Sequence, residues 1–313
     1  MHLRQSTANV LSCFDGMSCG RLALQRAGID VANYYASEID PYAIKVSSRN
    51  FPMNNNLGDV TNWRNWDIDW SSIDLLIGGS PCQGFSKLGS HLAFSDPRSA
   101  LFMEFVEILK HIRTFNPDVK FLMENVRMRW DHVERVSGYL GVEPVFLNSK
   151  DVVPQSRERY YWSNFIWKEL TPAMLASDRL IKHSTEALGF LRPEPSGITY
   201  HDIIEPSELD FKPATLRKGN PRHMLMTGEN FSCLTATYYK GINADGRPAL
   251  ATGIGTFAEL REAGLVRALL PIECERLQTV PSGFTEGVSN TQRFRMLGNG
   301  WTVDMISHIL GSY

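Results

Sequence analysis

Cysteine is sparse and unpatterned in this chain. Cys13, Cys19, Cys82, Cys233 and Cys274 are an odd number, scattered, with no CxxC pair. Such a set argues against a disulfide framework and a structural zinc site, and fits a reducing compartment. Long hydrophobic runs are missing as well: none approaches the roughly 18 residues that span a bilayer. Residues 1–9 are polar and lack the apolar core of a secretory signal. The sequence therefore predicts a soluble, cytoplasmic protein with no membrane partner. An excess of positive charge is also lacking, with 32 Lys and Arg against 34 Asp and Glu and a formal charge of −2. Any surface that meets nucleic acid must be a local patch. The chain has no GxxxxGKS or GxxxxGKT, which excludes a P-loop. It has no full GxGxxG either, which counts against a pyrophosphate-bearing dinucleotide.

What is present is enough for a large core: 313 residues, 43% of them hydrophobic. Residues 10–14 read as a short buried strand. After the turn at 15–20, Leu22, Ala23, Leu24 and Ala27 suit a helix that stops at Gly28. Strands follow at 34–37, ending at Glu38, and at 73–77. Leu101, Phe102, Phe105, Val106, Leu109 and Ile112 mark one face of a long helix. Strands at 121–123, 145–147 and 160–162 close the series. This alternation predicts an α/β, Rossmann-like, doubly wound and mostly parallel sheet. From Trp167 to about Leu265 the chain carries Pro172, Pro193, Pro195, Pro206, Pro213, Pro221 and Pro248 with little helical period. That composition predicts a smaller, loop-rich lobe. Helical character returns from Leu269 and in Val303, Met305, Ile306, Ile309 and Leu310. The expected division is 1–166, 167–266 and 267–313.

Three places carry candidate chemistry. Cys82 follows the strand at 73–77 and the turn Gly78-Gly79-Ser80, inside Pro81-Cys82-Gln83-Gly84-Phe85-Ser86. Open α/β sheets hold ligands at the carboxyl ends of their strands, where a thiolate is placed to act as a nucleophile. By itself, such a cysteine is more often a small buried hydrophobe. The first strand, the turn from Asp15-Gly16 to Gly20 and the next helix form the opening of a Rossmann-type unit. Glu38, at the tip of the second strand, suits two ribose hydroxyls, and Asp59 suits an exocyclic amine such as adenine N6. The plain alternative is a tight turn with two surface acids.

These residues form a longer ordered set. It runs from Phe14-Asp15-Gly16…Gly20 through Glu38, Asp59, Pro81-Cys82-Gln83, Glu124-Asn125-Val126 and Gln155-Ser156-Arg157-Glu158-Arg159. It continues with Arg267, Leu269, Pro271-x-Glu273-x-x-Arg276-Leu277-Gln278-x-x-Pro281 and Gly298-Asn299-Gly300. In this order the set resembles the cytosine-C5 DNA methyltransferase family over about residues 9–165 and 267–313. Two places depart from the usual pattern. Ser18-Cys19-Gly20 stands where the family's first motif ends in Gly-Gly, and Gly298-Asn299-Gly300-Trp301-Thr302-Val303 replaces the common Gly-Asn-Ser-Val. Both look like the vertebrate de novo branch, in which a tryptophan at the place of Trp301 helps hold the cofactor.

The resemblance implies a class I S-adenosylmethionine-dependent methyltransferase fold, with residues 167–266 as a target-recognition lobe. It implies DNA (cytosine-5-)-methyltransferase activity on a base flipped out of double-stranded DNA, with S-adenosylhomocysteine as product and no metal. Cys82 is then the nucleophile at C6. Glu124 shares or donates a proton at N3, and a desolvated carboxyl holds a proton more readily. Arg157 and Arg159 alternate in sequence and are expected on one face, one stabilising O2 and positioning Cys82, the other ordering the site. The implied cofactor contacts are Phe14, Asp15, Gly16, Ser18, Gly20, Glu38, Ile39, Asp59, Val60, Pro81, Leu101, Asn299, Trp301 and Thr302. The implied DNA contacts are Gln83 and Ser86, in the catalytic loop, and Thr235, Thr237 and Lys240 in a threonine-leucine element. Lys212, Arg217, Lys218 and Arg222 add a local basic stretch suited to phosphates.

The family chemistry explains the residue types. C5 of cytosine becomes nucleophilic only after a thiolate has added to C6, and the target base must leave the stack to be reached. The base that removes the C5 proton is unassigned between His91 and water. The expected setting is a bacterial or phage-infected cell, with a cognate restriction endonuclease as partner in a restriction-modification role and none in a phage or orphan role. A tRNA cytosine-C5 methyltransferase of the same fold is the alternative, although Ser80-Pro81-Cys82-Gln83-Gly84-Phe85-Ser86 differs from that branch's Pro-Pro-Cys-Gln-Pro-Phe-Thr. A catalytically silent DNA-binding relative would be expected to lose Cys82 or Glu124, and both are present.

Overall fold

The computed structural model describes residues 7–81, 97–205, 211–216, 225–242, 247–253 and 256–313. The apolar run after Thr7 forms β1 (Ala8–Cys13), the turn leads into α1 (Cys19–Arg26), and β2 (Val31–Ser37) delivers Glu38. In α2 (Pro41–Asn50), Asp40 caps the Tyr42 N–H and Pro41 opens the first turn, two independent helix-start signals. There follow β3 (Asn55–Asn56), β4 (Leu75–Gly79), α3 (Pro97–Phe115), β5 (Lys120–Val126), α4 (Trp130–Leu140), β6 (Pro144–Asn148) and β7 (Glu158–Ser163).

These seven strands form one sheet in the order β3-β2-β1-β4-β5-β7-β6. β1 runs parallel to β2 and β4, β2 to β3, and β4 to β5, whereas β7 is antiparallel to β5. The sheet is therefore mostly parallel, as the alternation of elements predicts. The chain winds outward in opposite directions from β1 and β4, which puts the topological switch point between them. The stripe read along α3 is its buried face: Phe102, Phe105, Val106, Leu109 and Ile112 pack with Leu11, Leu76, Phe121, Met123 and Trp162. Each such fully buried side chain contributes roughly 1.5–3 kcal/mol of transfer free energy.

The rest of the chain is built of short pieces, as its proline content predicts. β8 (Lys168–Glu169), α5 (Pro172–Leu175), β9 (Leu180–Lys182) and β10 (Leu188–Leu191) include a three-stranded sheet in the order β8-β10-β9. After α6 (Tyr200–Ile203), the strands β11 (Lys212–Leu216), β12 (Leu225–Thr227), β13 (Pro248–Ala251) and β14 (Val266–Arg267) form a four-stranded antiparallel sheet, with α7 (Phe257–Glu262) before β14. The helices α8 (Pro271–Leu277), α9 (Asn290–Asn299) and α10 (Val303–Leu310) complete the chain. Among the described residues, no helix is long and apolar enough to cross a membrane.

Two compact units result. One comprises Met1–Leu147, Glu158–Pro193 and Ile306–Tyr313; the other comprises Asn148–Arg157 and Glu194–Met305. The second unit is braced by acids of the Pro271-x-Glu273-x-x-Arg276 run. Fully buried Glu273 accepts from Arg267 at 2.7 and 2.9 Å and from the Leu270 and Glu205 N–H groups at 2.7 and 2.9 Å. Fully buried Glu275 accepts from the Gly283 and Thr285 N–H groups at 2.7 and 2.8 Å and pairs with Arg293 at 3.0 Å. Buried carboxylates survive only when their lone pairs are filled in this way. This motif of the resemblance thus does structural work inside its unit.

Candidate active site

Strand register decides which residues share the reactive edge. Cys13 of β1 lies opposite Ser37 of β2 and Gly78 of β4, and Gly79 lies opposite Glu124 of β5. The turn at 14–18, Glu38, the Ser80-Pro81 segment and Glu124 therefore all sit at the carboxyl edge of the sheet, around the switch point.

Glu38 is held by backbone. Its Oε2 accepts the Gly16 N–H at 2.8 Å, and Oε1 accepts the Ile39 and Asp40 N–H groups, each at 2.8 Å. A carboxylate after β2 is thus tied to the turn after β1, with the Ile39 side chain 69% exposed beside it. Asp59 Oδ1 takes the Thr61 N–H and hydroxyl, both at 2.9 Å, and so caps the short helical turn Val60–Asn65. Its Oδ2 has no partner among the described residues. Val60 is buried under this cap, and Leu101 is half-buried on α3. An anchored carboxylate, an exposed aliphatic surface and a spare acceptor suit a ribose, a purine face and an exocyclic amine respectively.

Asp15 faces inward. Its Oδ1 accepts from the Ser12 hydroxyl and the Tyr34 phenol, each at 2.6 Å, and its Oδ2 accepts from the Ser18 hydroxyl. Burial pushes the Asp15 carboxyl up to about 6; the three hydroxyl donors oppose that shift and the nearby Glu38 charge adds to it. A folded-state value above the unfolded one stabilises the fold below the unfolded value, and that stability is lost as pH rises through about 6. We expect Asp15→Asn to remove this component. Its urea midpoint relative to wild type should be more favourable at pH 7.5 than at pH 4.5, and an equal difference at both pH values would refute the assignment. Burial likewise pushes the thiols of Cys13 and Cys274 upward, so neither is poised as a nucleophile.

Glu124 and Arg159 form the charged pair of this edge. Arg159 Nε lies 2.8 Å from Glu124 Oε1, with both side chains nearly buried. Asn125 donates to the Ser80 hydroxyl at 3.0 Å, tying β5 to the segment that leaves β4. Pro81 is exposed and ends the described part of that segment. Cys82, Gln83 and Ser86 lie outside the described residues, as does His91.

Arg157 corrects the expectation that it shares a face with Arg159. β7 begins only at Glu158, so strand alternation does not reach back to Arg157. Its guanidinium is buried and donates to the carbonyls of Leu234 at 2.9 Å, Gly300 at 2.8 Å and Gly298 at 3.3 Å. Within that second unit, Thr235, Thr237, Tyr239 and Lys240 are exposed around the turn Tyr238–Lys240. Lys212 is exposed on β11, whereas Arg217, Lys218 and Arg222 lie outside the described residues. Asn299 is exposed and Trp301 half-buried; Thr302 is buried, with its hydroxyl bonded to Gln278 and Ser149 at 2.9 Å each. Ser12 and Tyr34 were not legible as site residues. Tyr34 reads as an ordinary strand aromatic, and nothing local marks it as the partner of Asp15.

A glycine turn, an anchored acid after the second strand and a mostly parallel sheet are features of the class I S-adenosylmethionine-dependent methyltransferase fold. The family model described as C-5 cytosine-specific DNA methylase matches residues 8–313, and the chain belongs to that family. The chain is 30% identical to the type II methyltransferase M.NgoBI of Neisseria gonorrhoeae, covering 95% of this chain and 90% of the relative. It is 28% identical to the type II methyltransferase M.NlaX of Neisseria lactamica, covering 96% and 94%. Its fold resembles that of the S. pombe Dnmt2 methyltransferase, with a TM-score of 0.66 at 19% identity over 97% of both chains. The reaction is methyl transfer to C5 of cytosine in DNA, and the matching family does not favour the tRNA alternative.

Proposed function

We propose that this chain methylates a cytosine flipped out of double-stranded DNA, with Cys82 as nucleophile, Glu124 at N3 and Arg159 orienting Glu124. The observation that supports this reading best is the Glu124–Arg159 pair on the strand edge beside Ser80-Pro81, two residues before Cys82 in sequence. A carboxyl group fixed by a guanidinium cannot swing away, so it keeps one direction for a proton shared with the base. Cys82 forms a bond to C6, pushes electron density toward C5, and leaves again when the C5 proton has gone to solvent. Arg157 is the ordering member of the pair, because its donors are spent on three carbonyls. S-adenosylmethionine, when bound, supplies an electrophilic methyl group. Glu38 would hold its ribose, Ile39 the adenine face, Asp59 the adenine amine and the 14–20 turn the remainder, with Val60, Pro81 and Leu101 beside them; the family resemblance adds Asn299, Trp301 and Thr302. Thr235, Thr237 and Lys240, exposed on the second unit, would meet DNA phosphates.

Two measurements test this. Bisulfite sequencing of plasmid DNA from cells expressing the chain should reveal protected cytosines in one short sequence context, and uniform conversion would overturn the reading. Glu38→Ala should raise the dissociation constant for S-adenosylmethionine by roughly tenfold to a hundredfold, the value of hydrogen bonds to a charged group. Unchanged affinity would refute the ribose role.

A further inference from the structure

We propose that Asp15 is a positioning residue of the cofactor turn: its carboxylate clamps the 14–18 backbone in the shape that offers the Gly16 N–H to Glu38. The inference rests on reading this turn as the S-adenosylmethionine site. Its basis is strain met by a dedicated set of hydrogen bonds. Phe14, Gly16 and Ser18 all have positive φ, at 58°, 60° and 64°. Glycine adopts such angles freely, but Phe14 and Ser18 hold them at a cost that the surroundings must offset.

The surroundings do so through Asp15. Ser12 lies in β1 and Tyr34 in β2, two central strands of the sheet, and both donate to the same oxygen of Asp15 at 2.6 Å. The other oxygen receives the Ser18 hydroxyl, and Ser18 begins the departure into α1. The backbone adds two bonds, Asp15 N–H to the Ser37 carbonyl and Ser18 N–H to the Asp15 carbonyl, each at 3.1 Å. Ser18 Oγ also meets Ser47 Oγ of α2 at 2.6 Å and accepts from Asn54 at 3.2 Å. One carboxylate therefore joins two strands to both ends of the strained turn.

The output of the clamp is the 2.8 Å bond from Gly16 N–H to Glu38 Oε2. A Cβ built on Gly16 would meet nothing within 4 Å, so the outer side of the turn is open where a ligand would lie. Because both Asp15 oxygens already accept hydroxyls, the side chain acts on a ligand through the turn. The Ser18-Cys19-Gly20 departure from the family pattern gives this chain the hydroxyl that a glycine would lack.

The test is calorimetric titration with S-adenosylhomocysteine, alongside steady-state kinetics in S-adenosylmethionine. Asp15→Ala should weaken binding about tenfold or more, as expected for lost hydrogen bonds to a charged group, and Tyr34→Phe, which leaves the two serine donors in place, by roughly threefold, the value of one ordinary hydrogen bond. KM for the cofactor should rise accordingly while kcat at saturation changes less than about threefold. Adding Ser18→Gly to Asp15→Ala should recover at least about threefold in affinity, because glycine needs no help to keep its φ. A merely structural role would not yield to that rescue. Wild-type affinity in Asp15→Ala, or no recovery on adding Ser18→Gly, overturns the proposal. If Asp15→Ala does not fold, Tyr34→Phe decides alone, and unchanged affinity overturns it. Failure of wild type itself to bind, or full affinity in Glu38→Ala, would instead overturn the cofactor reading.

Discussion

A Cys82→Ala variant is expected to show no methyl transfer above background while binding S-adenosylmethionine within about twofold of wild type. The effect is total because the thiolate carries the chemical step: without its bond to C6, C5 keeps the low electron density of an aromatic ring carbon and does not attack a methyl sulfonium. The cofactor contacts of the first unit come from the β1, β2 and β4 ends, so removing the sulfur leaves them in place. DNA carrying 5-fluorocytosine at the recognised position separates this account from a non-covalent one. The fluorine cannot leave as a proton does, so wild-type enzyme should be trapped in a denaturation-resistant complex that Cys82→Ala does not form. Turnover in the alanine variant, or the absence of a trapped complex with active wild-type enzyme, would sink the covalent mechanism.

Gly298→Ala is expected to have the second-largest effect, through packing. A Cβ at Gly298 would lie 2.1 Å from the Thr235 carbonyl carbon, 2.3 Å from its oxygen and 2.3 Å from the Ala236 nitrogen. All three are backbone atoms, so no side-chain rotation relieves the clash. Arg157 ties the same two segments together through Leu234, Gly298 and Gly300, and it would lose its geometry when they part. Overpacking typically costs roughly 1–3 kcal/mol, and a clash with backbone atoms belongs at the upper end. The thermal midpoint should fall markedly, and activity should fall even below that midpoint, because Thr235 and Thr237 sit on the displaced segment. A variant that melts like wild type would show that Gly298 and Thr235 do not make this contact.

Much of the sheet was legible because its signals are local. The apolar runs of β1, β4 and β5 and the stripe of α3 are periodicities of neighbouring residues, and the structure places them within a few residues of expectation. α2 was harder, because its buried face is Ala43, Val46 and Ser47, small residues that write a faint pattern. The neighbour of β7 was not readable. Residues 149–157 are too few for a parallel crossover, but which neighbour β7 pairs with depends on the whole sheet. In the site, Glu38 was legible from its place at a strand tip. The true surroundings of Arg157 were not, because alternation holds only inside a strand and Arg157 lies just before one.

The sequence by itself determined the kind of chemistry available: a thiol after a strand, a carboxyl group after another, glycines where a ligand needs room, and the family to which their order belongs. Those are properties of residue types and short spacings, and they survive without coordinates. Only the tertiary structure decided where each polar group points. Asp15 turns toward Tyr34, nineteen positions away, and Gly298 lies against Thr235 and Ala236. Such pairings depend on backbone angles and long-range packing, which fix a donor against its acceptor only once the chain has closed on itself.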